Sequence, residues 1–336
     1  MIKELLAKLG ITNQDNTTPD KDTTTVTAAA ENTPPKNTEK EADSSLYDFI
    51  EISVGDIKKR PDAVHDMFIG KSDGFLIKNF LSSEEVDKLL LKLQEIRKTD
   101  AKLANVPEGF TYPLIIAEYN QRIALLPEEE QAEASKKYFL EMEKFNDTFV
   151  EEYGVDVQGK ITELLTAIGG GRKVGVPSGL NDVGSYTYVT YRYLVPNQGL
   201  ISVHCANYFG KTFTKAYRHL NTKIIAENQM SYFIMLQEPE EGGELSLFNF
   251  RWQDGQTKKS VSEDYEIIQP DGTVIYLQTD PGIRKNKIRP RKGDMILFQG
   301  GNIWHRVERV GGTIPRITFG GFLSISLDKK TIYFWS

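Results

Sequence analysis

Four histidines occur in the chain, His65, His204, His219 and His305. His204 and His305 fall in or beside β-branched and aromatic runs that predict core strands, whereas His65 has a polar helical context and His219 sits in AYRHLNT, a segment of lid character. A buried histidine is more often a satisfied core residue than a ligand, so the company of each decides its reading. In Val203-His204-Cys205-Ala206, a regular strand puts His204 and Ala206 on one face and Cys205 on the other. Non-heme iron(II) oxygenases use that spacing to present a histidine and a carboxylate, with a second histidine arriving later in the chain. Ala206 stands where the carboxylate belongs, and a methyl group cannot bind a metal. Asn207, one residue on, faces the wrong side of a regular strand. What remains is a pair of candidate ligands, His204 and His305, with a position left open beside Ala206.

Downstream, GDMILFQGGNIWHRVERVGGTIPRITFGGF reads as strand, Gly-Gly turn, ligand strand, turn and strand. Arg316 follows His305 by eleven residues, and Thr318 is its same-face neighbour. A five-carbon dicarboxylate whose 2-oxo acid end chelates a metal needs a cation at its other end, and a guanidinium fork suits that carboxylate. Thr318 adds a hydroxyl. An isolated strand arginine is ordinarily a surface residue; at this offset from His305 it reads as the co-substrate's anchor. The acidic runs do not compete for a catalytic role. PEEEQAEASKK reads as a solvated helix face and Glu240-Glu241-Gly242-Gly243 as a hairpin turn, and neither brings two acids together on one buried face.

These side chains need rigid elements to hold them. Ser82-Ser83-Glu84-Glu85 ahead of Val86, Leu89, Leu90 and Leu93 predicts a capped helix with acids at its positive end. Further helices are predicted from about Pro127 to Tyr153 and from about Ile161 to Ile168, the last stopped by Gly169-Gly170-Gly171. A Gly-rich turn that cradles phosphate follows a strand, whereas this one follows a helix, so it reads as a C-terminal stop. From Tyr186 the texture changes to short runs such as YTYVTYRYLV, GLISVHCANYF, MSYFIML, GELSLFNF and RITFGGFLSIS, which predict strands. Helices gathered before many short strands predict an α+β chain with a closed or double-sheet core of jelly-roll, cupin-like type, flanked by support helices. At the start, Ile2, Leu5, Leu6 and Leu9 predict a short amphipathic helix over residues 1–11, and residues 12–45 hold too little apolar surface to fold. That helix reads equally as a docking element for a partner or as a frayed end, on a disordered tether. The folded domain is expected over 46–336.

Composition bounds the partners. A net charge of -6 and a pI near 5.5 argue against nucleic acid or an anionic membrane, which recruit clustered Lys and Arg, and in favour of a small molecule. One cysteine, Cys205, excludes an intrachain disulfide framework and a thiolate metal cluster, and fits a reducing cytoplasm. MIKELLAKLGI is too short to span a bilayer and lacks a small-residue cleavage site, so the expected location is cytoplasmic.

The stretches DFIEISVGDIKKRPDAVHDMFI, GLISVHCANYF, QMSYFIMLQEPEEGGEL and GDMILF…WHRVERVGGTIPRITFGGFLSIS…YFWS together carry a family likeness. From about Phe49 to Ser336 the chain resembles the 2-oxoglutarate/iron halogenases of hapalindole- and welwitindolinone-type indole alkaloid biosynthesis. The resemblance implies a double-stranded β-helix, Fe(II) at His204 and His305, 2-oxoglutarate at Arg316, and chloride or bromide where a carboxylate normally binds. It implies oxygen as co-substrate and an alkaloid- or terpenoid-like substrate chlorinated at an unactivated carbon. Those halogenases carry glycine where this chain has Ala206, and carrier-protein-dependent halogenases carry alanine; both leave room for a halide. Ser231 matches the family's serine near the iron, and Ile201 and Phe209 match pocket walls, although core packing is the commoner fate of such residues. Two rivals remain at this point: a hydroxylase of the same fold, and a β-helix binding protein that has lost catalysis.

Overall fold

Along the described chain, β1 (Phe49–Ser53), α1 (Val54–Ile57), α2 (Ala63–Phe68), β2 (Gly74–Lys78), α3 (Ser83–Thr99), β3 (Gly109–Tyr112), α4 (Glu128–Tyr153) and α5 (Val157–Ile168) come first. Strands then dominate: β4 (Lys173–Gly175), β5 (Thr190–Leu194), β6 (Ile201–His204), β7 (Met230–Gln237), β8 (Glu241–Gly242) and β9 (Leu245–Arg251). They continue as β10 (Thr257–Val261), β11 (Asp264–Ile268), β12 (Val274–Tyr276), β13 (Lys285–Ile288), β14 (Met295–Phe298), β15 (Ile303–Val307), β16 (Val310–Gly311), β17 (Arg316–Ile325) and β18 (Thr331–Trp335). The structure, a computed structural model, describes residues 46–99, 109–115, 122–208, 218–255, 257–261 and 264–336. The N-terminal helix and tether expected over 1–45, and Phe209, lie outside them. Among the described residues, no helix is long and apolar enough to cross a membrane.

The helices begin and end where their chemistry dictates. Before α3, the Ser82 amide donates to Glu85 Oε2 (2.8 Å) while the Glu85 amide donates to Ser82 Oγ (3.2 Å), a reciprocal cap that satisfies two end amides. Helix α4 starts after Pro127 with Glu128, Glu129 and Glu130 in its first turn, and stops at Gly154, whose φ of 65° is left-handed and suits glycine. Helix α5 starts four residues earlier than the expected Ile161, because Asp156 caps it by accepting from the Gly159 amide at 2.7 Å.

Two sheets form the core. The larger, nine-stranded sheet runs β1-β2-β14-β7-β17-β18-β4, with β5 on β17 and β3 on β5; the smaller runs β13-β9-β15-β6. Strand β7 shows how the layers arise. Met230, Tyr232, Ile234 and Leu236 point to one side and join Val86, Leu89, Phe149, Ile161 and Leu165 of the helices. Phe233 points to the other side and joins Leu245 and Leu247 of β9, Ile296 and Phe298 of β14, and Ile303. Helices therefore cover one face of the large sheet and the small sheet covers the other, as expected for a jelly-roll, double-stranded β-helix core. A strand covered on both faces needs apolar residues throughout, which explains the unbroken MSYFIML run. On the outer side of the small sheet, Val203, Cys205, Phe248, Phe250, Trp252 and Trp304 form a separate cluster, with Ile267 of β11 over it.

Candidate active site

The inner space between the two sheets receives His204, His305, Ser231, Arg316 and Thr318. Strands β6 and β15 are antiparallel neighbours, and their register sets His204 directly opposite His305. The two imidazole rings lie 4.2 Å apart between centroids. Alternation along each strand sends Val203 and Trp304 outward and both histidines inward. Each ring is oriented by its own strand, since His204 Nδ1 lies 2.6 Å from the Ser202 carbonyl and His305 Nδ1 lies 2.7 Å from the Ile303 carbonyl. A carbonyl can only accept, so both Nδ1 atoms carry a proton, and in the neutral ring the lone pair is on Nε2. This is how proteins prepare histidines for a metal. The Phe298 ring stands edge-on to His305, 4.9 Å away, and limits its rotation.

The expected strand through Ala206 is shorter than the sequence suggested. Strand β6 ends at His204, and the backbone is helical at Ala206–Tyr208. Ala206 is placed by the chain it meets, because its amide donates to the Gly300 carbonyl at 2.8 Å and the Asn207 amide to that of Gly301 at 3.1 Å. Face alternation thus does not locate Ala206; its bond to the Gly-Gly turn does. Asn207 is buried, and its Oδ1 accepts from the Asn228 amide at 3.0 Å. Among the described residues, no group of three or more His, Cys, Asp or Glu side chains could hold a metal together.

Ser231 lies on the inner face of β7, paired with Phe298 of β14 and Phe322 of β17. A Cβ on Gly300 would collide with the Ser231 hydroxyl, so the glycine is what lets that oxygen sit beside the turn that holds Ala206. Ile201 is half-buried against Leu194, Val307 and Val310. His65 is in α2 and is not part of the histidine pair. His219 accompanies Tyr186, whose hydroxyl is 3.1 Å from its Nδ1, and burial lowers its pKa.

Arg316 opens β17 and is buried, with 1% of its surface exposed. Its guanidinium lies 5.2 Å from the Phe233 ring centroid, and its Nη1 points to the Thr318 hydroxyl at 3.5 Å, a long contact. Its Nε is buried without a hydrogen-bond acceptor among the described residues. Burial, and next the like charge of Arg192, push the Arg316 guanidinium down to about 9. A buried cation without an acid is costly, so this arrangement calls for an anion from outside the chain. The Glu240–Gly243 stretch also differs from a simple turn. Glu241 and Gly242 form β8 and pair with β16, and a Cβ on Gly243 would stand 3.0 Å from Arg316 Cδ. Sequence reasoning missed both Gly243, which backs Arg316, and Arg192, which shares the inner face. The YRYLV run held no spacing rule that could single out Arg192. The donor set fits iron and 2-oxoglutarate: two imidazoles tuned as ligands, and an orphaned buried guanidinium for a carboxylate.

Comparison with known proteins agrees. No curated protein sequence matches the chain. Among solved structures, an N-substituted L-amino acid dioxygenase from Burkholderia ambifaria AMMD is similar at 12% identity and TM-score 0.48, over 82% of this chain and 90% of that one. The non-heme alpha-ketoglutarate-dependent carbocyclase SnoK from nogalamycin biosynthesis is similar at 12% identity and TM-score 0.41, over 80% and 87%. A Pseudomonas putida prolyl-4-hydroxylase is similar at 13% identity and TM-score 0.33, over 80% and 97%. At these identities and scores the likenesses say nothing of substrate. The model of the carrier-protein-independent halogenase family WelO5 matches residues 46–336. The chain therefore belongs to the carrier-protein-independent WelO5 halogenase family: it is a non-heme iron(II)- and 2-oxoglutarate-dependent oxidoreductase that uses oxygen and a halide and acts on a small molecule.

Proposed function

We propose that His204 and His305 are the iron ligands, that Ala206 leaves the third protein position to chloride or bromide, and that Arg316 with Thr318 holds the far carboxylate of 2-oxoglutarate. The observation that carries this reading is the direct pairing of His204 with His305, each with its Nδ1 proton committed to a backbone carbonyl. Iron(II), with 2-oxoglutarate and oxygen, supplies the oxidising power to take a hydrogen atom from an unactivated carbon and leave a halogen in its place. The chain's part is to hold and to aim. The Ser202 and Ile303 carbonyls fix the two rings, Phe298 keeps His305 from turning, and Ala206 presents only a methyl group where a carboxylate would compete with the halide. Ser231 contributes one hydroxyl on the inner face of β7, with the role of orienting the oxidising group relative to the substrate carbon.

The substrate in this reading is an apolar, alkaloid- or terpenoid-like scaffold, with Ile201 and Phe209 on its pocket walls. Residues 1–11 are assigned to docking a partner, through 12–45, since the family match begins at residue 46 and Ile2, Leu5, Leu6 and Leu9 recur at helical spacing. A chain lacking 1–45 should then turn over free substrate as the full chain does, and lose only the partner.

The test of the site is anaerobic reconstitution with iron(II) and 2-oxoglutarate, chloride titration of the optical spectrum, and then oxygen with product mass. A chloride-dependent spectrum and a chlorine isotope pattern are expected. In Ala206→Asp the introduced carboxylate should abolish the spectral response to chloride and shift product toward hydroxylation. Hydroxylated product alone from the wild type, with no halide response, overturns the assignment.

A further inference from the structure

We propose that Arg192 is a second cation of the co-substrate site, so that 2-oxoglutarate is held by two guanidiniums, those of Arg192 and Arg316, converging from neighbouring strands at Gly320. The inference rests on the reading of Arg316 as the co-substrate's anchor.

The register brings the two together. Arg192 of β5 pairs with Thr318 of β17, and residues paired across antiparallel strands share a face, so Arg192 projects into the same inner space as Arg316 and Thr318. From there its side chain runs across Gly320. A Cβ on that glycine would stand 2.9 Å from Arg192 Nε and 3.1 Å from its Cζ, and the guanidinium carbon ends 5.6 Å from the Phe322 ring centroid. Gly320 is paired on its other side with Phe233, the ring over which Arg316 lies. The two headgroups therefore flank one residue, and that residue has no side chain. Gly320 is not among the glycines with positive φ, so its backbone would accept any residue and its value here is volume.

Charge gives the pair its meaning. The Arg192 charge reaches Arg316 strongly enough to help depress its pKa, and among the described residues no Asp or Glu forms an ion pair with Arg316. Arg316 is buried and Arg192 half-buried, so the two like charges repel with incomplete screening by water, and an anion between them lowers that cost. A dicarboxylate brings two negative charges, where a halide brings one. The halide's position beside Ala206 is tied to the Gly300 turn, whereas Arg192 stands opposite Thr318, the residue that Arg316 already approaches.

The experiment uses the full chain loaded anaerobically with iron(II), and titrates 2-oxoglutarate and chloride separately into wild type, Arg192→Gln, Arg192→Lys, Gly320→Ala and Arg316→Lys. Thermal melting is followed with and without 2-oxoglutarate. Arg192→Gln should bind 2-oxoglutarate about tenfold more weakly, with Arg192→Lys between it and wild type. Gly320→Ala, which displaces Arg192 without removing it, should show a similar loss. Iron and chloride binding should be unchanged. In Arg192→Gln the rise in melting temperature on adding 2-oxoglutarate should shrink. Unchanged 2-oxoglutarate affinity in Arg192→Gln, alongside a loss in Arg316→Lys, overturns this inference and leaves the site assignment standing. A loss of chloride binding with 2-oxoglutarate unaffected also overturns it. Full affinity in Arg316→Lys, or no binding by wild type, means that the reading of Arg316 itself has failed.

Discussion

On the helix side of β7, Met230, Tyr232, Ile234 and Leu236 join a core of apolar side chains and the rings of Tyr153, Tyr188 and Tyr191, with the Tyr232 hydroxyl donating to the Tyr188 carbonyl. On the other side of the same sheet, Ser231, Thr318, Arg192 and Arg316 share the inner face with Phe233 and Phe298, and the histidine pair stands across the gap. The helix side buries hydrocarbon at roughly 25 cal/mol per Å² and gains stability from nearly every residue. The inner side keeps a buried guanidinium without an acid among the described residues, which costs stability until a ligand arrives. One strand can serve both because its side chains alternate, so a stable face and a reactive face need no separate elements.

The comparison breaks most sharply at the histidines. His204→Ala and His305→Ala should each reduce succinate formation to background and abolish stoichiometric iron binding, while melting stays near wild type. Near-normal turnover in either would remove that histidine from the site. Next comes the helix face. Phe149 is fully buried, stacked on Tyr153 at 4.1 Å and in contact with Tyr188 and Phe319. Phe149→Ala should cost about 3–5 kcal/mol in urea unfolding, with the 2-oxoglutarate affinity of the folded fraction unchanged. A loss confined to affinity would mean that the two faces are not separable.

Arg316→Met tests the opposite side. It replaces a buried charge by an apolar chain, so ligand-free stability should rise by about 1–4 kcal/mol while 2-oxoglutarate affinity falls about tenfold to hundredfold. Lower ligand-free stability would show that the guanidinium already has a counter-ion in the protein. The smallest effect is in pH. Arg316 is pushed down to about 9 when folded and keeps its proton to much higher pH when unfolded, so above about 9 the unfolded chain binds the extra proton and stability rises with pH. Below about 9 the folded state carries the full penalty of the buried charge. Ligand-free stability should therefore climb as pH rises through about 9, while 2-oxoglutarate affinity falls over the same range. Calorimetric titration from neutral to alkaline pH reads both, and an affinity flat across that range would assign the anion to another cation.

Much of this was legible in the amino-acid order because the rules involved are local. The reciprocal cap at Ser82 and Glu85, the stop at Gly154, and the strand texture from β5 onward each depend on residues a few positions apart. So did the suspicion of His204, Ala206 and Arg316, whose neighbours carried the likeness to the halogenases. Tertiary structure decided what lies between distant segments. Strand β6 stops at His204 because the Gly300-Gly301 turn, far along the chain, captures the Ala206 and Asn207 amides; no alternation rule within GLISVHCANYF contains that turn. Gly243 and Gly320 look like turn or strand glycines until Arg316 and Arg192 are seen against them. Arg192 itself sits in an ordinary YRYLV strand, and only its pairing with Thr318, more than a hundred residues later, turns it toward Arg316. Local chemistry fixes where an element begins and which way its side chains alternate, whereas the partner strand and its register depend on packing summed over the whole core.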